Sequence, residues 1–316
     1  MAENAALPEI AVVVPAFNAA GTIGATLAGL ASQTFASTTE VVIVDCGSDD
    51  GTTALVEAAI NAKRITNLRL LQIEARDPIA ARNHGAAATT APLLAFTDAD
   101  CAPEPGWLTA GVAALDTADL VQGAVTPERE PVPFDRTVSV SAEHGLYETA
   151  NLFVTRTAFN RIGGFEPLPG IRLRRGEHFG EDVWFAWRAK RAGASAAFAE
   201  RSIVKHVVFR RGAPGYVAEQ LRRRFFPPLI KAVPELRSEF LYSRAFLSKR
   251  TAYFDLALTG LTTAVLSKRL TPLIATIPYV LTLDRRPVVA ATAIAADTVG
   301  AAALISGSVS ARTIVL

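Results

Sequence analysis

Two aspartates that directly follow a short apolar run are the residues of this chain whose types and spacing best suggest chemistry. Asp98 and Asp100 come after residues 93–96, which have the pattern of a buried strand. Carboxylates spaced i, i+2 at the end of a strand offer paired oxygen ligands, which Mg²⁺ and Mn²⁺ prefer together with substrate phosphates. Because surface turns are also rich in aspartate, the value of this pair depends on the elements around it.

Strands and helices alternate over the first hundred residues. Residues 10–14 form a continuous apolar run typical of a buried parallel strand, and further strands are predicted at residues 40–44, 68–73 and 93–96. Helical patterns fill the intervals, at residues 19–32, 52–62 and 80–89. This alternation predicts an α/β fold with a Rossmann-like, mostly parallel sheet and flanking helices. Such sheets bind ligands at the carboxyl ends of their strands, where Asp98 and Asp100 would lie.

Beyond Pro103 the pattern is looser, and it divides the chain into three regions. A turn follows a helix near residues 159–165, a helix is predicted over 181–192, and a short strand over 201–204. We expect residues 1–100 to form a nucleotide-binding half and residues 101–215 the other half of the same domain. A basic and then apolar helical region follows, at residues 216–316.

The C-terminal region combines positive charge with apolar stretches. Residues 201–250 contain twelve Lys/Arg and three Glu. Three apolar stretches follow, at 252–266, 273–283 and 288–308. The third has the ~20 residues that cross a bilayer, but Asp255 and Asp297 weaken a transmembrane interpretation of the region. Membrane contact, membrane spanning, and buried or interfacial helices all stay open.

Composition narrows the class of protein. The 316 residues allow one large domain or two smaller ones, and the net charge of +2 does not point to nucleic acid as a partner. Cys46 and Cys101 form no disulfide framework, which fits a reducing compartment. We find no signal-peptide pattern at the N-terminus and expect the catalytic part to face the cytoplasm.

Four segments carry a resemblance to a known family. They read Val-Val-Val-Pro-Ala-Phe-Asn (12–18), Val-Asp-Cys-Gly-Ser-Asp-Asp-Gly-Thr (44–52), Ala-Arg-Asn-His-Gly-Ala (81–86) and Ala-Phe-Thr-Asp-Ala-Asp-Cys (95–101). Their order and spacing resemble those of family 2 glycosyltransferases, inverting enzymes of the GT-A fold. The resemblance extends through Asn151-Leu-Phe-Val-Thr-Arg, Gly163-Gly-Phe and Gly180-Glu-Asp-Val-Trp, and covers roughly residues 8–210. Cys46 stands where this family often has a second Asp.

The resemblance implies a site for a nucleotide. The turn of Pro15, Ala16, Phe17 and Asn18 would contact the base through its backbone, or would be an ordinary strand-to-helix turn. Asp45 would accept a hydrogen bond from a base N–H, although it could instead cap the following helix. Arg82 would steady the nucleotide or its diphosphate, or pair with Asp98, and these two roles are compatible. Asp98 itself would contact the ribose, or the metal indirectly.

The same resemblance implies a metal site and a catalytic base. Asp100 would ligate Mn²⁺ or Mg²⁺, and His206 resembles a late histidine of the family that can reach the metal, although a lone histidine is more often structural. An inverting transfer also needs a base for the acceptor hydroxyl. The family points to Asp182, with Glu181 as the alternative. Both acids would also favour the positive end of a helix dipole, which would keep Asp182 ionised.

Two further segments are ambiguous. Gln220-Leu-Arg-Arg-Arg224 resembles a degraded Q-x-x-R-W motif of processive members, with Arg224 where Trp is expected. The missing stacking surface favours transfer of one sugar, and a basic helix face beside a membrane is the better interpretation of this segment. The Arg-rich loop at residues 171–180 could close over a diphosphate, receive a phosphorylated lipid, or be a solvated loop.

These expectations combine into one function and two rivals. The resemblance implies a metal-dependent inverting glycosyltransferase that uses a nucleotide-diphosphate sugar. The basic, apolar C-terminus suggests a lipid-linked or cell-envelope glycan acceptor at the cytoplasmic face of the membrane. One rival is a nucleotidyltransferase, but residues 15–24 lack the Lys and Arg of its phosphate loop. The other is an inactive, membrane-tethered protein that binds nucleotide sugars.

Overall fold

The chain divides into two units, each of which is described by itself. The computed structural model describes residues 7–74, 76–171, 173 and 177–316. The first unit contains the described residues up to Pro131, residues 137–167, and the described part of 173–208. The second contains residues 132–136, the described part of 168–172, and residues 209–316.

One sheet forms the centre of the first unit. Its strands, within the described residues, are β1 (Ile10–Ala16), β2 (Thr39–Asp45), β3 (Leu68–Gln72), β4 (Leu93–Phe96), β5 (Cys101–Pro103), β6 (Leu120–Pro127), β7 (Leu152–Thr155) and β8 (Ala196–His206). They lie in the order β3-β2-β1-β4-β7-β6-β8-β5. Strands β1 to β4 pair in parallel, as the alternating pattern predicts, and β7 is antiparallel to both β4 and β6. The predicted α/β fold is therefore confirmed.

Helices cover this sheet. They are α1 (Ile23–Ala31), α2 (Thr52–Asn61), α3 (Pro78–Ala87), α4 (Trp107–Leu115), α5 (Arg156–Arg161) and α6 (Glu181–Arg191), with a 3₁₀ turn at Thr149–Asn151. Helix α3 lies close to β1, because a Cβ at Gly85 would be 2.4 Å from Cγ1 of Val13. Arg82 lies one turn earlier on the same helix, so this close packing also sets its distance from the sheet.

Strand β1 is longer than the sequence predicts, and the predicted turn at residues 15–18 is correspondingly shorter. Pro15 and Ala16 continue the strand and pair with Val44 and Asp45. A proline is tolerated here because β4 stops pairing at Val13, so no neighbouring strand needs the missing N–H. The turn itself is left to Phe17 and Asn18.

Strand β8 is also longer than the predicted strand at 201–204. It runs beside β6, with a register shift between Gly123 and Ala124, and it pairs with β5 at its end. The exposed residues Glu200 and Arg201 lie at that irregularity and interrupt the apolar pattern. His206 is therefore the last residue of the strand, whereas the sequence placed it after the strand.

The second unit is helical. Its elements are α7 (Ala213–Glu219), α8 (Phe226–Ala232), α9 (Leu236–Glu239), α10 (Lys249–Ser267), α11 (Ile277–Val280) and α12 (Pro287–Ala311), with 3₁₀ segments at Gln220–Phe225 and Thr271–Thr276. Among the described residues, α12 is the one helix long and apolar enough to cross a membrane. Helices α10 and α12 correspond to the first and third predicted apolar stretches.

Candidate active site

Polar side chains collect at the carboxyl edge of the parallel strands. Asp45 is the last residue of β2, and Asp98 and Asp100 lie in the turn between β4 and β5. Because β1 and β4 are adjacent, the turn after β1 also reaches this edge. It is where an open α/β sheet binds its ligands.

Asp45 organises the loop after β2. Its Oδ2 accepts hydrogen bonds from the backbone N–H groups of Gly47 and Ser48, at 3.2 and 3.1 Å. Helix α2 is preceded instead by Gly51, with φ 95°, and the N–H of Thr52 bonds to Asp50. The other carboxylate oxygen of Asp45 is buried and has no hydrogen-bond partner among the described residues. Asp45 thus does not cap α2, and it keeps one oxygen for another donor.

The turn after β1 is fixed by its neighbour. Asn18 has a left-handed backbone (φ 47°), and its side chain exchanges hydrogen bonds with Asp49 at 2.9 and 3.0 Å. Its backbone N–H donates to Oγ of Ser48. Phe17 is exposed, and the guanidinium of Arg76 lies 4.7 Å from its ring centroid. The N–H of Asn18 is consequently already used, while the ring of Phe17 stays partly exposed beside Arg76.

Arg82 joins carboxylates from two parts of the chain. Its side chain is buried, with Nη2 2.9 Å from Oδ1 of Asp98 and Nη1 3.6 Å from Oε1 of Glu181. Burial lowers the pKa of Arg82, but Asp98 and Glu181 outweigh this effect and raise it. Its Nε and Nη1 have no hydrogen-bond partner among the described residues. The guanidinium can therefore hold the acidic residues in place and still offer donors to an anion.

Asp100 and His206 form the best candidate for a cation site. Their Oδ2 and Nε2 atoms lie 3.6 Å apart. Strand pairing brings them together, because Cys101, the neighbour of Asp100, is in register with His206 across β5 and β8. Burial and the nearby Asp98 raise the pKa of Asp100, and His206 opposes the rise. A cation between the two groups would relieve the repulsion between the carboxylates.

The hydrogen bonds of His206 fit a ligand role. Its Nδ1 lies 2.7 Å from the carbonyl oxygen of Val207, which can only accept. Nδ1 therefore carries a proton, and Nε2 is the ring nitrogen that faces Asp100. Metal-binding histidines characteristically donate their second ring N–H to such a partner.

Cys101 is a third potential ligand that the sequence does not single out. The ligand atoms of Asp100, Cys101 and His206 all lie within 4.8 Å of one another. Cys101 is fully buried in the hydrophobic core, and burial raises the pKa of its thiol well above the usual range. A neutral thiol suits a hard cation poorly, so the carboxylate and the imidazole are the better-matched pair for Mn²⁺.

Asp182 lies in the first turn of α6. Its Oδ1 accepts a 2.8 Å hydrogen bond from the N–H of Val183. Burial raises the pKa of its carboxyl well above the usual range, with further contributions from Glu181 and Glu148, while Val183 and Arg82 oppose the rise. This corrects the expectation that the helix dipole keeps Asp182 ionised: desolvation and like charges have the larger effect. A raised pKa suits a group that must accept a proton.

Glu148 is an acidic residue of this region that the sequence patterns did not reveal. It precedes the 3₁₀ turn at Thr149–Asn151, and its Oε1 lies 3.4 Å from Nε2 of His144. Burial raises its pKa, and its other oxygen is buried without a hydrogen-bond partner among the described residues. No motif marks this position, because its effect on Asp182 depends on tertiary packing.

The structure bears differently on the two segments for which the sequence leaves several interpretations, residues 171–180 and 220–224. In the loop at 171–180, Arg172, Arg174 and Arg175 lie outside the described residues, and the described His178 has Nδ1 3.9 Å from Oδ1 of Asp77. The segment Gln220–Phe225 belongs to the second unit, where Arg224 is exposed.

Comparisons of the chain with known proteins all indicate the same family. Residues 11–169 match the model described as "Glycosyl transferase family 2". The chain is 33% identical over 214 residues to the glycosyltransferase AglE of Haloferax volcanii, an alignment covering 63% of this chain and 67% of that protein. It is 28% identical over 182 residues to the pre-mycofactocin glycosyltransferase of Mycobacterium tuberculosis, covering 50% of this chain but 36% of that longer protein.

The fold is shared with a solved structure as well. The mannosyltransferase PcManGT of Pyrobaculum calidifontis, solved with GDP-Man and Mn²⁺, superposes with a TM-score of 0.66. The match covers 96% of this chain and 88% of that one, at 18% sequence identity. The architecture of the chain is thus the GT-A fold.

Proposed function

Because this chain belongs to glycosyltransferase family 2, we propose that it moves one sugar from a nucleotide-diphosphate sugar to an acceptor hydroxyl, with inversion and with Mn²⁺ or Mg²⁺ as cofactor. The observation that carries the proposal is the Asp100–His206 pair, 3.6 Å apart at the carboxyl edge of the sheet. The Nδ1 of His206 donates to the carbonyl oxygen of Val207, which turns Nε2 toward the carboxylate.

The donor site is assembled from residues of this edge. The free oxygen of Asp45 accepts a hydrogen bond from the base, and Phe17 contributes an exposed ring face. Asp98, held by Arg82, contacts the ribose, and Nε of Arg82, which has no hydrogen-bond partner among the described residues, is the donor proposed for the diphosphate. Asp100 and His206 would hold the divalent cation, which when bound supplies Lewis-acid stabilisation of the departing diphosphate.

Asp182 serves as the general base. An inverting transfer is a single displacement in which one carboxylate takes the proton of the attacking hydroxyl. Glu181 is already paired with Arg82, whereas the carboxyl of Asp182 has its pKa raised by burial and by its acidic neighbours. Of the two acids, Asp182 is thus the better proton acceptor.

The acceptor and location follow from the C-terminal region. Residues 209–316 contain fifteen Lys/Arg and six Asp/Glu, and include the apolar helices α10 and α12. Basic residues favour the anionic cytoplasmic leaflet, and apolar helices favour its interior. We therefore assign the protein to the cytoplasmic face of the membrane and its acceptor to the lipid-linked or cell-envelope glycans. The Arg224 that replaces the motif tryptophan fits transfer of one sugar rather than processive polymerisation.

A binding panel tests the donor site. UDP-, GDP- and dTDP-sugars are each added with and without Mn²⁺, and thermal stability is measured. We expect one nucleotide class to stabilise the protein by about 2.7 kcal/mol at a hundredfold excess over Kd, only with metal. Asp100→Ala should remove this shift, while Glu57→Ala, at an exposed position of α2, should keep it.

The outcomes separate the rival functions. Stabilisation by the matching nucleoside triphosphate, with its turnover, would favour a nucleotidyltransferase. Stabilisation by a nucleotide sugar without turnover on any acceptor would favour the inactive binding protein. Once a product is obtained, its anomeric configuration decides between inversion and retention.

A further inference from the structure

The second unit has a broad apolar surface on a helical hairpin. Helix α10 packs against the 3₁₀ segment Thr271–Thr276, so closely that a Cβ at Gly260 would lie 2.6 Å from the carbonyl oxygen of Pro272. This hairpin and the adjoining α11 expose a run of apolar residues, close together in sequence, that we name the apolar platform: Leu258, Leu261, Val265, Leu266, Leu270, Ile274, Ile277, Val280 and Leu281. Leu266, Leu270 and Leu281 are each about four-fifths exposed, at 79%, 80% and 80%.

The described part of the first unit lacks such a surface. Over the described part of the first unit, the exposed large apolar residues are Leu7, Phe17 and Leu55, which are far apart in sequence. Single exposed apolar residues are ordinary, but a contiguous group indicates a binding surface. The platform therefore needs a partner that is itself apolar.

Hydroxyl groups on the same helices indicate which partner this is. Thr259, Thr262 and Ser267 of α10 donate to the carbonyl oxygens four residues earlier, at 2.7–2.8 Å. Thr292 and Thr298 of α12 do the same, both at 2.8 Å. Four of these residues are exposed and Thr292 is half-buried, and each hydroxyl proton is already satisfied within its own helix. These surfaces can enter hydrocarbon without leaving an unsatisfied donor.

Charged residues border the platform. Lys268 and Arg269 form the turn after α10, and Arg285 comes shortly before α12; all three are exposed. A membrane surface with anionic headgroups provides both the apolar interior for the platform and the negative charge for these cations. A protein partner would have to supply the same combination.

Helix α12 is attached to a polar part of the protein. Its buried stripe, Ala296, Asp297, Gly300, Ala303, Leu304 and Gly307, lies on one face. A Cβ at Gly300 would lie 2.5 Å from Nη1 of Arg223, and one at Gly307 would lie 2.2 Å from the carbonyl oxygen of Arg224. The helix thus packs directly on the segment Gln220–Phe225, where Arg222 and Arg224 are exposed.

Asp297 links α12 to the hairpin. Its Oδ2 accepts from Nε of Arg250 at 2.9 Å and from the hydroxyl of Tyr279 at 2.8 Å. Its Oδ1 lies 3.9 Å from Nη1 of Arg223. A buried carboxylate with these partners joins α10, α11, α12 and the arginine segment, so that α12 cannot leave the unit without breaking a buried ion pair.

We propose that the second unit docks on an anionic bilayer from one side: the apolar platform enters a single leaflet, and α12 does not cross the membrane. A crossing α12 would carry Asp297 and the arginines packed along it into the hydrocarbon, where charged groups are strongly disfavoured. In the docked arrangement these groups stay paired within the protein or at the headgroups. This inference rests on the proposed membrane contact and is independent of the proposed sugar transfer.

Flotation of the full chain with vesicles tests the platform. The vesicles are phosphatidylcholine with or without phosphatidylglycerol. The double variant L266E/L270E changes two side chains that are largely exposed, and should reduce the partition coefficient roughly a hundredfold or more. L55E, which adds a charge at an exposed leucine of α2, should bind like the wild type.

Cysteine labelling tests the topology. Both native cysteines are buried, so Arg285→Cys and Ser310→Cys introduce exposed thiols before α12 and at its end. In inside-out membrane vesicles from expressing cells, an impermeant maleimide should label both positions from outside. Labelling of one position and protection of the other would show that α12 crosses the membrane, and would overturn the inference.

Other results are equally decisive. If the wild type does not float with either vesicle type, the proposed membrane contact itself fails. If it floats and L266E/L270E floats equally well, membrane contact stands and the platform is wrong. If the variant instead converts a dimer to a monomer without any change in flotation, the platform is covered by a second copy of this chain.

Discussion

Arg82 determines how negative charge is distributed at the carboxyl edge of the sheet. Four carboxyl groups lie in this region, those of Asp98, Asp100, Glu181 and Asp182. The buried guanidinium of Arg82 pairs with Asp98 and Glu181. Asp100 is placed with His206 instead, and Asp182 with the N–H of Val183. The pairing thus leaves one carboxylate for a cation and one for a proton.

Asp182→Asn should reduce turnover and stabilise the protein at neutral pH. Loss of a general base typically costs about 10²–10⁴-fold in rate. Folding raises the pKa of Asp182, so the ionised carboxylate is disfavoured in the native state. The native state is therefore most stable while Asp182 is protonated, and the protein loses this stability as the pH rises through the raised pKa. The amide removes that loss, and the difference in Tm between variant and wild type should grow with pH and vanish at acidic pH.

Paired measurements of Tm and kcat/KM over pH check this prediction. For the wild type, kcat/KM should fall on acidification at a higher pH than an ordinary carboxyl would give. Glu57→Gln, at an exposed position of α2, should leave both profiles unchanged. A normal rate for Asp182→Asn together with a strongly reduced rate for Glu181→Gln would assign the base to Glu181.

The helices and strands that the sequence predicts correctly are those whose structure is decided by residues near one another along the chain. Strands β1, β2 and β4 contain apolar runs that are buried on both faces, and the helices between the first four strands are found within a few residues of their predicted bounds. The acidic residues that follow those strands therefore lie, as predicted, at the carboxyl edge of the sheet. The predicted division at residue 100 is a statement about function and stays a prediction.

The second half of the sheet was beyond sequence analysis because distant pairing decides it. Strands β5 and β7 have three and four residues, too few to show a period. The contact between Asp100 and His206 depends on β5 pairing with β8, about a hundred residues later. Only the resemblance to a family pointed to His206, and nothing in the pattern pointed to Cys101 or Glu148.

Asn151 holds this second half together. Its Nδ2 donates to the carbonyl oxygens of Ala124 and Ser202, both at 2.8 Å, and its Oδ1 accepts from Nε1 of Trp107 at 2.8 Å. The two carbonyls flank the irregularity where β6 and β8 change register, so the side chain replaces bonds that the strands cannot make. The end of β8, with His206, depends on this arrangement.

Asn151→Ala should therefore lower stability and weaken the metal site. Each buried group left without a partner costs about 1–3 kcal/mol, so the free energy of unfolding should fall by roughly 3 kcal/mol or more. Denaturant unfolding measures this, and Mn²⁺-dependent stabilisation by the nucleotide sugar should weaken in parallel. Asn160→Ala, at an exposed position of α5, serves as the control. Equal unfolding midpoints for the two variants would contradict the assigned role.

For the whole molecule, charge is separated along the chain. Residues 1–208 contain seventeen Lys/Arg and twenty-four Asp/Glu, while residues 209–316 contain fifteen and six. The overall net charge of +2 hides regional values of −7 and +9. Electrostatic attraction to an anionic surface should therefore act on the C-terminal region, where the apolar platform also lies.

Removing the charges at the tip of the hairpin should weaken binding to anionic vesicles while leaving the apolar contribution intact. Lys268 and Arg269 should each contribute about 1 kcal/mol, so K268N/R269Q should bind roughly 30-fold more weakly to vesicles with phosphatidylglycerol. Asparagine preserves the left-handed backbone of residue 268 (φ 52°). Lys63 and Arg64 provide a matched control, because they are exposed and Lys63 has the same backbone conformation (φ 50°) after α2. K63N/R64Q should bind like the wild type, and an equal loss in both variants would mean that net charge rather than this surface drives binding.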